Sequence, residues 1–167
     1  RHNIREFLQI ISQLKKANPS LKFSSDFIIG YPGESEKDFL STVNLMREIE
    51  FINSYSFVFS ARPGTPAAKL KPVDKEISKS RLEKFQKISE EIKINYRKKL
   101  INKEIEVLFE NKIKNSNKIF GRDKYMNAVV VDGSSELIGK EKKVLVEDFN
   151  SNTLFGKINN FNSEAIL

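Results

Sequence analysis

Three short strings hold the side chains and backbone best suited to chemistry. In Gly30-Tyr31-Pro32-Gly33-Glu34, two glycines bracket a tight turn. Glycines let backbone approach a ligand closely, and exposed N–H groups ahead of a helix suit an anion or a carboxylate. The GxxxxGK(S/T) spacing of a P-loop is absent, and the same string also reads as an ordinary strand-to-helix turn punctuated by Gly and Pro. In Ser60-Ala61-Arg62-Pro63-Gly64-Thr65-Pro66, Arg62 directly follows a strand and is bracketed by rigid residues. A guanidinium held in this way can clamp a carboxylate or a phosphate; the competing reading is a surface arginine in a rigid linker. The third string, Gly121 to Asn127, offers Arg122 and Lys124 for phosphate, Tyr125 for stacking and Asn127 for a base edge. Its alternative is a strand with Tyr125 and Met126 in the core. The single histidine, His2, has no acidic partner at a readable spacing and reads as a surface residue.

What the chain lacks narrows the chemistry further. Its 167 residues include no cysteine and no tryptophan. No disulfide, zinc ribbon, thiolate nucleophile or iron–sulfur ligand can come from these residues, and one histidine excludes a multi-histidine metal site. Apolar runs are only a handful of residues long, so no membrane-spanning helix is expected. No basic start leads into an apolar stretch, so no secretory signal is expected, and the expected location is the cytoplasm. An apolar content of 39% with 13 Phe suffices for a packed core.

The elements that position the three strings follow from periodicity. Ile4, Phe7, Leu8, Ile11, Leu14 and Ala17 keep a helical spacing that Asn18-Pro19 ends. Residues 21–29 read as a strand stopped by Gly30. Ser35 and Asp38 form a capping pair opening a second helix, with Phe39, Val43, Met46 and Ile49 on one face. Residues 55–59 make a second strand, and the resulting βαβ unit requires the two strands to be parallel. Leu82, Phe85, Ile88, Ile92 and Tyr96 mark a long amphipathic helix. Beyond it, strands are expected at 104–110, 125–131, 142–148 and 153–159, with Asp132-Gly133 as a turn dipeptide. Four or five short strands in about sixty residues predict a small antiparallel barrel.

Charge and proline divide the chain. The overall charge is +7; residues 1–70 carry net +2, residues 71–104 net +5 and residues 105–167 none. All five prolines lie at or before Pro72. The expected organisation is therefore residues 1–70 as part of a parallel βα barrel, 71–103 as a basic connector helix and 104–160 as the small barrel. Two parallel strands alone leave edges unpaired and a face uncovered. With a start at Arg1, this predicts the C-terminal part of a longer protein; the alternative is a homodimer partner that supplies the missing strands.

DFIIGYPGESEKDF followed by YSFVFSARPGTPAA, then RLEKFQKISEEI, LINKEIEVLFE, GRDKYMNAVVV and LIGKEKKVLVEDFNSNTLFGKI, resembles the tRNA methylthiotransferases of the radical S-adenosylmethionine superfamily. The resemblance covers nearly the whole chain in the right order. It implies a partial α/β barrel, a connector and a TRAM domain, which is a small OB-like RNA-binding barrel. It also implies an enzyme that adds a methylthio group to carbon 2 of a modified adenosine next to the anticodon, with a tRNA anticodon stem-loop as partner. The cofactors implied for the full-length family are S-adenosylmethionine and two 4Fe-4S clusters. The cluster cysteines are absent here, so the isolated chain is expected to be inactive and to depend on a missing cluster-bearing region. The resemblance also implies that Ile28, Gly30 and Glu34 fall in the motif that helps seat S-adenosylmethionine, with Arg62 projecting toward the same face. Three alternatives remain: a non-catalytic RNA-binding remnant, and methylthiotransferases acting on threonylcarbamoyl-adenosine or on a ribosomal protein.

Overall fold

The computed structural model describes residues 3–159. His2 lies outside the described residues. The chain forms two compact units that divide between Lys93 and Ile94.

The first unit begins with α1 (Ile4–Ala17), opened by a reciprocal capping box between Asn3 and Glu6. Strand β1 (Ser24–Ile29) follows; it starts three residues later than the periodicity suggests. Helix α2 (Glu36–Ile49) is capped by Ser35 and Asp38 as expected, and Phe39, Val43, Met46 and Ile49 are its buried residues. Serine hydroxyl and aspartate carboxylate each satisfy an N–H that the first turn leaves without a helical acceptor. Asp38 is held below the usual carboxylate range, chiefly by its hydrogen bonds from Ser35. Strand β2 (Asn53–Val58) lies parallel to β1, pairing Ser24 with Asn53 through Ile29 with Val58. After a single 3-10 turn at Pro66–Lys69 comes the long helix α3 (Lys75–Lys98). Asp74 caps α3, accepting from the N–H groups of Glu76 and Ile77.

Among the described residues, only one face of the β1–β2 pair is covered. Phe27 and Ile29 point into a core with Ile11, the apolar face of α2, Phe51, and Phe85 and Ile88 of α3. Phe27 meets Phe51 edge-on at 5.4 Å and Phe85 at 4.8 Å. The opposite face carries Ile28, Tyr55 and Phe57, each more than half exposed. In a parallel ladder, Ile28 pairs with Phe57 and Asp26 with Tyr55, so these four side chains share that face.

The second unit is a closed five-stranded barrel. Its strands are β3 (Glu104–Lys112), β4 (Lys118–Asp123), β5 (Ala128–Asp132), β6 (Glu141–Phe149) and β7 (Thr153–Ile158). They run in the order β3-β4-β5-β7-β6, and β6 returns to β3. Val107, Phe109, Ile119, Val129, Val131, Val144, Val146 and Leu154 fill the interior. The last turn of α3 is fastened to this unit: Arg97 is buried and donates from Nη1 to the Asn150 carbonyl at 2.9 Å.

Three expectations are corrected here. The barrel is not wholly antiparallel, because β5 and β7 pair in parallel. A short turn at 150–152 returns β7 antiparallel to β6, and filling the gap beside β5 then sets it parallel to β5. Asp132-Gly133 is not a hairpin turn: β5 leads through a 3-10 turn at Ser135–Leu137 to β6, which it does not pair with. The strand expected at 125–131 begins at Ala128, and a strand at Lys118–Asp123 was not foreseen.

Two glycines permit closure. A Cβ on Gly121 would sit 2.4 Å from the Leu108 carbonyl oxygen, and one on Gly156 2.1 Å from that of Leu145. Each pairs beside a register shift, Gly121 at Phe109/Asn111 and Gly156 at Val146/Asp148. Bulges tighten the twist that a small barrel needs, and the strand opposite then comes too close for a side chain.

Candidate functional site

In the first unit, the turn after β1 is built around an internal ion pair. Gly30 has φ +75°, a left-handed conformation, and a Cβ there would lie 2.5 Å from Ser78 Oγ. Its N–H donates to Glu34 Oε2 at 2.9 Å, so the carboxylate that this turn receives is its own. Glu34 Oε1 accepts from Arg81 Nη1 at 2.9 Å, and the same nitrogen donates to the Glu34 carbonyl at 3.1 Å. Arg81 Nε and Nη2 also reach Glu36 Oε2 at 3.1 Å. Arg81 is 8% exposed. A charge so buried is retained only when paired and hydrogen-bonded, and here it locks the turn from α3.

Around this lock, exposed groups include apolar and cationic side chains as well as the carboxylate of Glu36. Ile28 stands on the open sheet face. Tyr31 and Phe59 meet edge-on at 5.1 Å. Arg62 is exposed, and its carbonyl accepts from both the N–H and the hydroxyl of Thr65, closing the turn after β2. Of the residues singled out in the sequence, Gly30 and Glu34 are thus in direct contact. Ile28 and Arg62 are presented to solvent on the same unit. Arg81, the residue that organises the turn, went unnoticed in the sequence. Its partners lie 45 to 47 positions away, and nothing local distinguishes it among the basic residues of α3.

In the second unit, GRDKYMN spans the end of β4 and a tight turn, not one strand. Asp123 is buried and accepts three hydrogen bonds within the turn. Its Oδ1 takes the N–H of Tyr125 at 2.9 Å and of Asn127 at 2.8 Å, and Oδ2 takes the Asn127 side-chain amide at 2.8 Å. Met126 adopts φ 63°, which an Asx-braced turn of this kind tolerates. Asn127 is 3% exposed, and its amide also approaches the Tyr96 hydroxyl at 3.5 Å. Burial pushes the Tyr96 phenol up to about 12. Asn127 therefore braces the turn from inside, while the turn exposes Lys124 and leaves Tyr125 half-buried; the Lys124 ammonium lies 5.2 Å from the Tyr125 ring centre. Arg122 stands on the outer face of β4, over the Phe120 ring at 5.1 Å and 3.3 Å from Glu110. The turn signal was available: Asp123 followed at two and four positions by residues whose N–H groups it can accept.

Comparison with known proteins bears on both units. Residues 98–158 match the TRAM domain family. The chain is 50% identical over 158 residues to the tRNA-2-methylthio-N(6)-dimethylallyladenosine synthase of Pelagibacter ubique (strain HTCC1062), covering 95% of this chain and 35% of that protein. It is 40% identical to the synthase of the same name from Wolbachia pipientis wMel, over 81% of this chain and 31% of the relative. For the Maricaulis maris (strain MCS10) synthase the identity is 35%, over 95% and 35%.

The chain is homologous to the C-terminal part of these synthases and carries a TRAM domain. It spans about a third of the length of the curated relatives it matches. Those relatives are enzymes of tRNA modification by name, and the match runs through the βαβ unit as well as the barrel. The donor set for a cluster is a separate matter. The sequence has no cysteine, and among the described residues no three His, Cys, Asp or Glu side chains gather as metal ligands. These residues do not fit an iron–sulfur cluster. Among the described residues, no helix is long and apolar enough to cross a membrane.

Proposed function

We propose that this chain is the tRNA-binding part of a tRNA methylthiotransferase acting on an adenosine next to the anticodon, and that it supplies one edge of the S-adenosylmethionine site. The observation that carries the RNA half is the braced turn: the exposed Lys124 ammonium lies beside the half-buried Tyr125 ring on a turn fixed internally by Asp123 and Asn127. A cation beside an aromatic ring on a small barrel suits an unpaired base and its phosphate. Arg122 on the adjoining strand β4 adds a second cation, a guanidinium, and Asn127 acts by positioning. The basic segment 71–104, with net charge +5, adds a sequence-independent attraction for RNA.

The cofactor half rests on the homology and on the turn after β1. S-adenosylmethionine supplies the methyl and radical chemistry of such an enzyme when bound. On this chain, Ile28 would offer an apolar contact and Arg62 a cation for a carboxylate. Gly30 and Glu34 hold the turn in shape. The exposed face with Ile28, Tyr55 and Phe57 is, in this reading, the inward face of a larger parallel barrel whose other strands belong to the remainder of the enzyme. Cluster ligands would come from that remainder too, and the 167-residue chain alone is expected to cleave no S-adenosylmethionine.

Titration of a labelled anticodon stem-loop into the chain at several salt concentrations tests the RNA half. Saturable binding that weakens steeply with salt supports it. Equal affinity for the stem-loop and for a polyanion such as heparin would overturn it, since a generic basic helix would then suffice.

A further inference from the structure

Beside the braced turn, and lined in part by it, the barrel carries a cleft of about 370 Å³. Its lining comes from four places in the second unit: Leu100 and Lys103 before β3, Glu106 on β3, Lys143 on β6, and Lys124 with Tyr125 from the turn. This volume falls at the lower end of small-ligand sites. Three lysines from separate elements thus share one concavity with three carboxylates, an aromatic ring and the apolar Leu100 and Ile105.

Three carboxylates, Glu104, Glu106 and Asp123, line the same cleft, and two of them accept hydrogen bonds. Asp123 is consumed by its three donors in the turn. Glu104 accepts from the Asn159 side-chain amide. Glu106 is the direct cross-strand partner of Lys143 on the β3–β6 ladder, so the two side chains stand on the same face beside the cleft. Lys103 and Lys124 are exposed and approach from the other sides.

We propose that this cleft is a subsite for a single unpaired nucleotide of RNA, its base stacked on Tyr125 and its phosphate held by Lys103 and Lys143. The inference rests on the RNA-binding reading above and adds two residues to it, one ahead of the barrel and one on β6. A flat ring takes any base by its face, and lysines act as point charges for a phosphate without imposing a sequence. An aromatic and several cations around one small concavity fit a splayed-out nucleotide better than duplex RNA, which is gripped along its backbone.

The test uses the full chain and anticodon stem-loops carrying 2-aminopurine at successive loop positions. One position should be quenched on binding to the wild-type chain and not on binding to Tyr125→Leu. The Lys103→Ala/Lys143→Ala double variant should bind about tenfold or more weakly at low salt, with the salt slope flattened by about 0.7 per lysine. Thermal melts of each variant check that the barrel remains folded; Lys103 and Lys143 are exposed, so no loss is expected. If the double variant keeps wild-type affinity and slope while Arg122→Ala binds more weakly, the subsite is wrong and RNA binding by the barrel stands. If the wild-type chain binds no stem-loop, both fall.

Discussion

The side-chain amide of Asn127 donates to Asp123 Oδ2 at 2.8 Å, closing the β4–β5 turn from within the barrel. Both residues are at least 95% buried. A polar pair this deep is stabilising only while every partner is present, because an orphaned carboxylate oxygen keeps its full desolvation cost. Asn127→Ala is therefore expected to destabilise the barrel by about 1–3 kcal/mol. Urea unfolding followed by circular dichroism measures this; an unchanged midpoint would show that the turn holds without its brace.

The same pair explains where sequence reading succeeds and where it stops. Helix α2 was legible down to its cap, because Ser35, Asp38 and the Phe39–Val43–Met46–Ile49 face are all local signals. The parallel β1–β2 pair followed from the length of the crossover. Strand β4 was missed because its apolar content reduces to Ile119 and Phe120, between a glycine and charged ends. The apolar run AVVV then drew Tyr125 and Met126 into a strand they precede. Asn127 looked like a base reader because asparagine is usually exposed; only the fold buries it. Closure with a parallel β5–β7 contact depends on pairings far apart in sequence, which no local pattern encodes.

Alkaline pH offers a second test. Tyr96 is raised from an ordinary value of 10.0 to about 12, first by burial. Below 10 the phenol is neutral in both folded and unfolded chains. Between about 10 and 12 the unfolded chain loses this proton more readily than the folded one, so stability falls as pH rises through that window. Tyr96→Phe should show a shallower decline there than wild type, read from urea midpoints at pH 9, 10.5 and 11.5. Parallel declines would contradict the burial of this phenol.

The Glu34–Arg81 lock should be expensive to break from one side. Arg81→Met leaves Glu34, with a side chain 11% exposed, without its cation. The expected cost is about 3 kcal/mol, with faster hydrogen exchange at Gly30 and Glu34. Exchange unchanged in these amides would mean that the turn is held by other contacts.

Gly30→Ala tests the same turn through the backbone. The left-handed φ and the 2.5 Å approach to Ser78 Oγ act together, and the expected loss is about 1–3 kcal/mol. Adding Ser78→Gly should recover only the steric share. Full recovery would mean that the conformation of Gly30 costs an alanine nothing.

The most direct test of the central claim, that the barrel binds tRNA through its braced turn, is amide chemical-shift mapping of the isotope-labelled chain as an anticodon stem-loop is added. The account predicts shifts concentrated at Arg122, Lys124, Tyr125 and their neighbours Lys103 and Lys143, saturating with the RNA. Shifts confined to helix α3 (Lys75–Lys98), with the barrel signals unmoved, would contradict it.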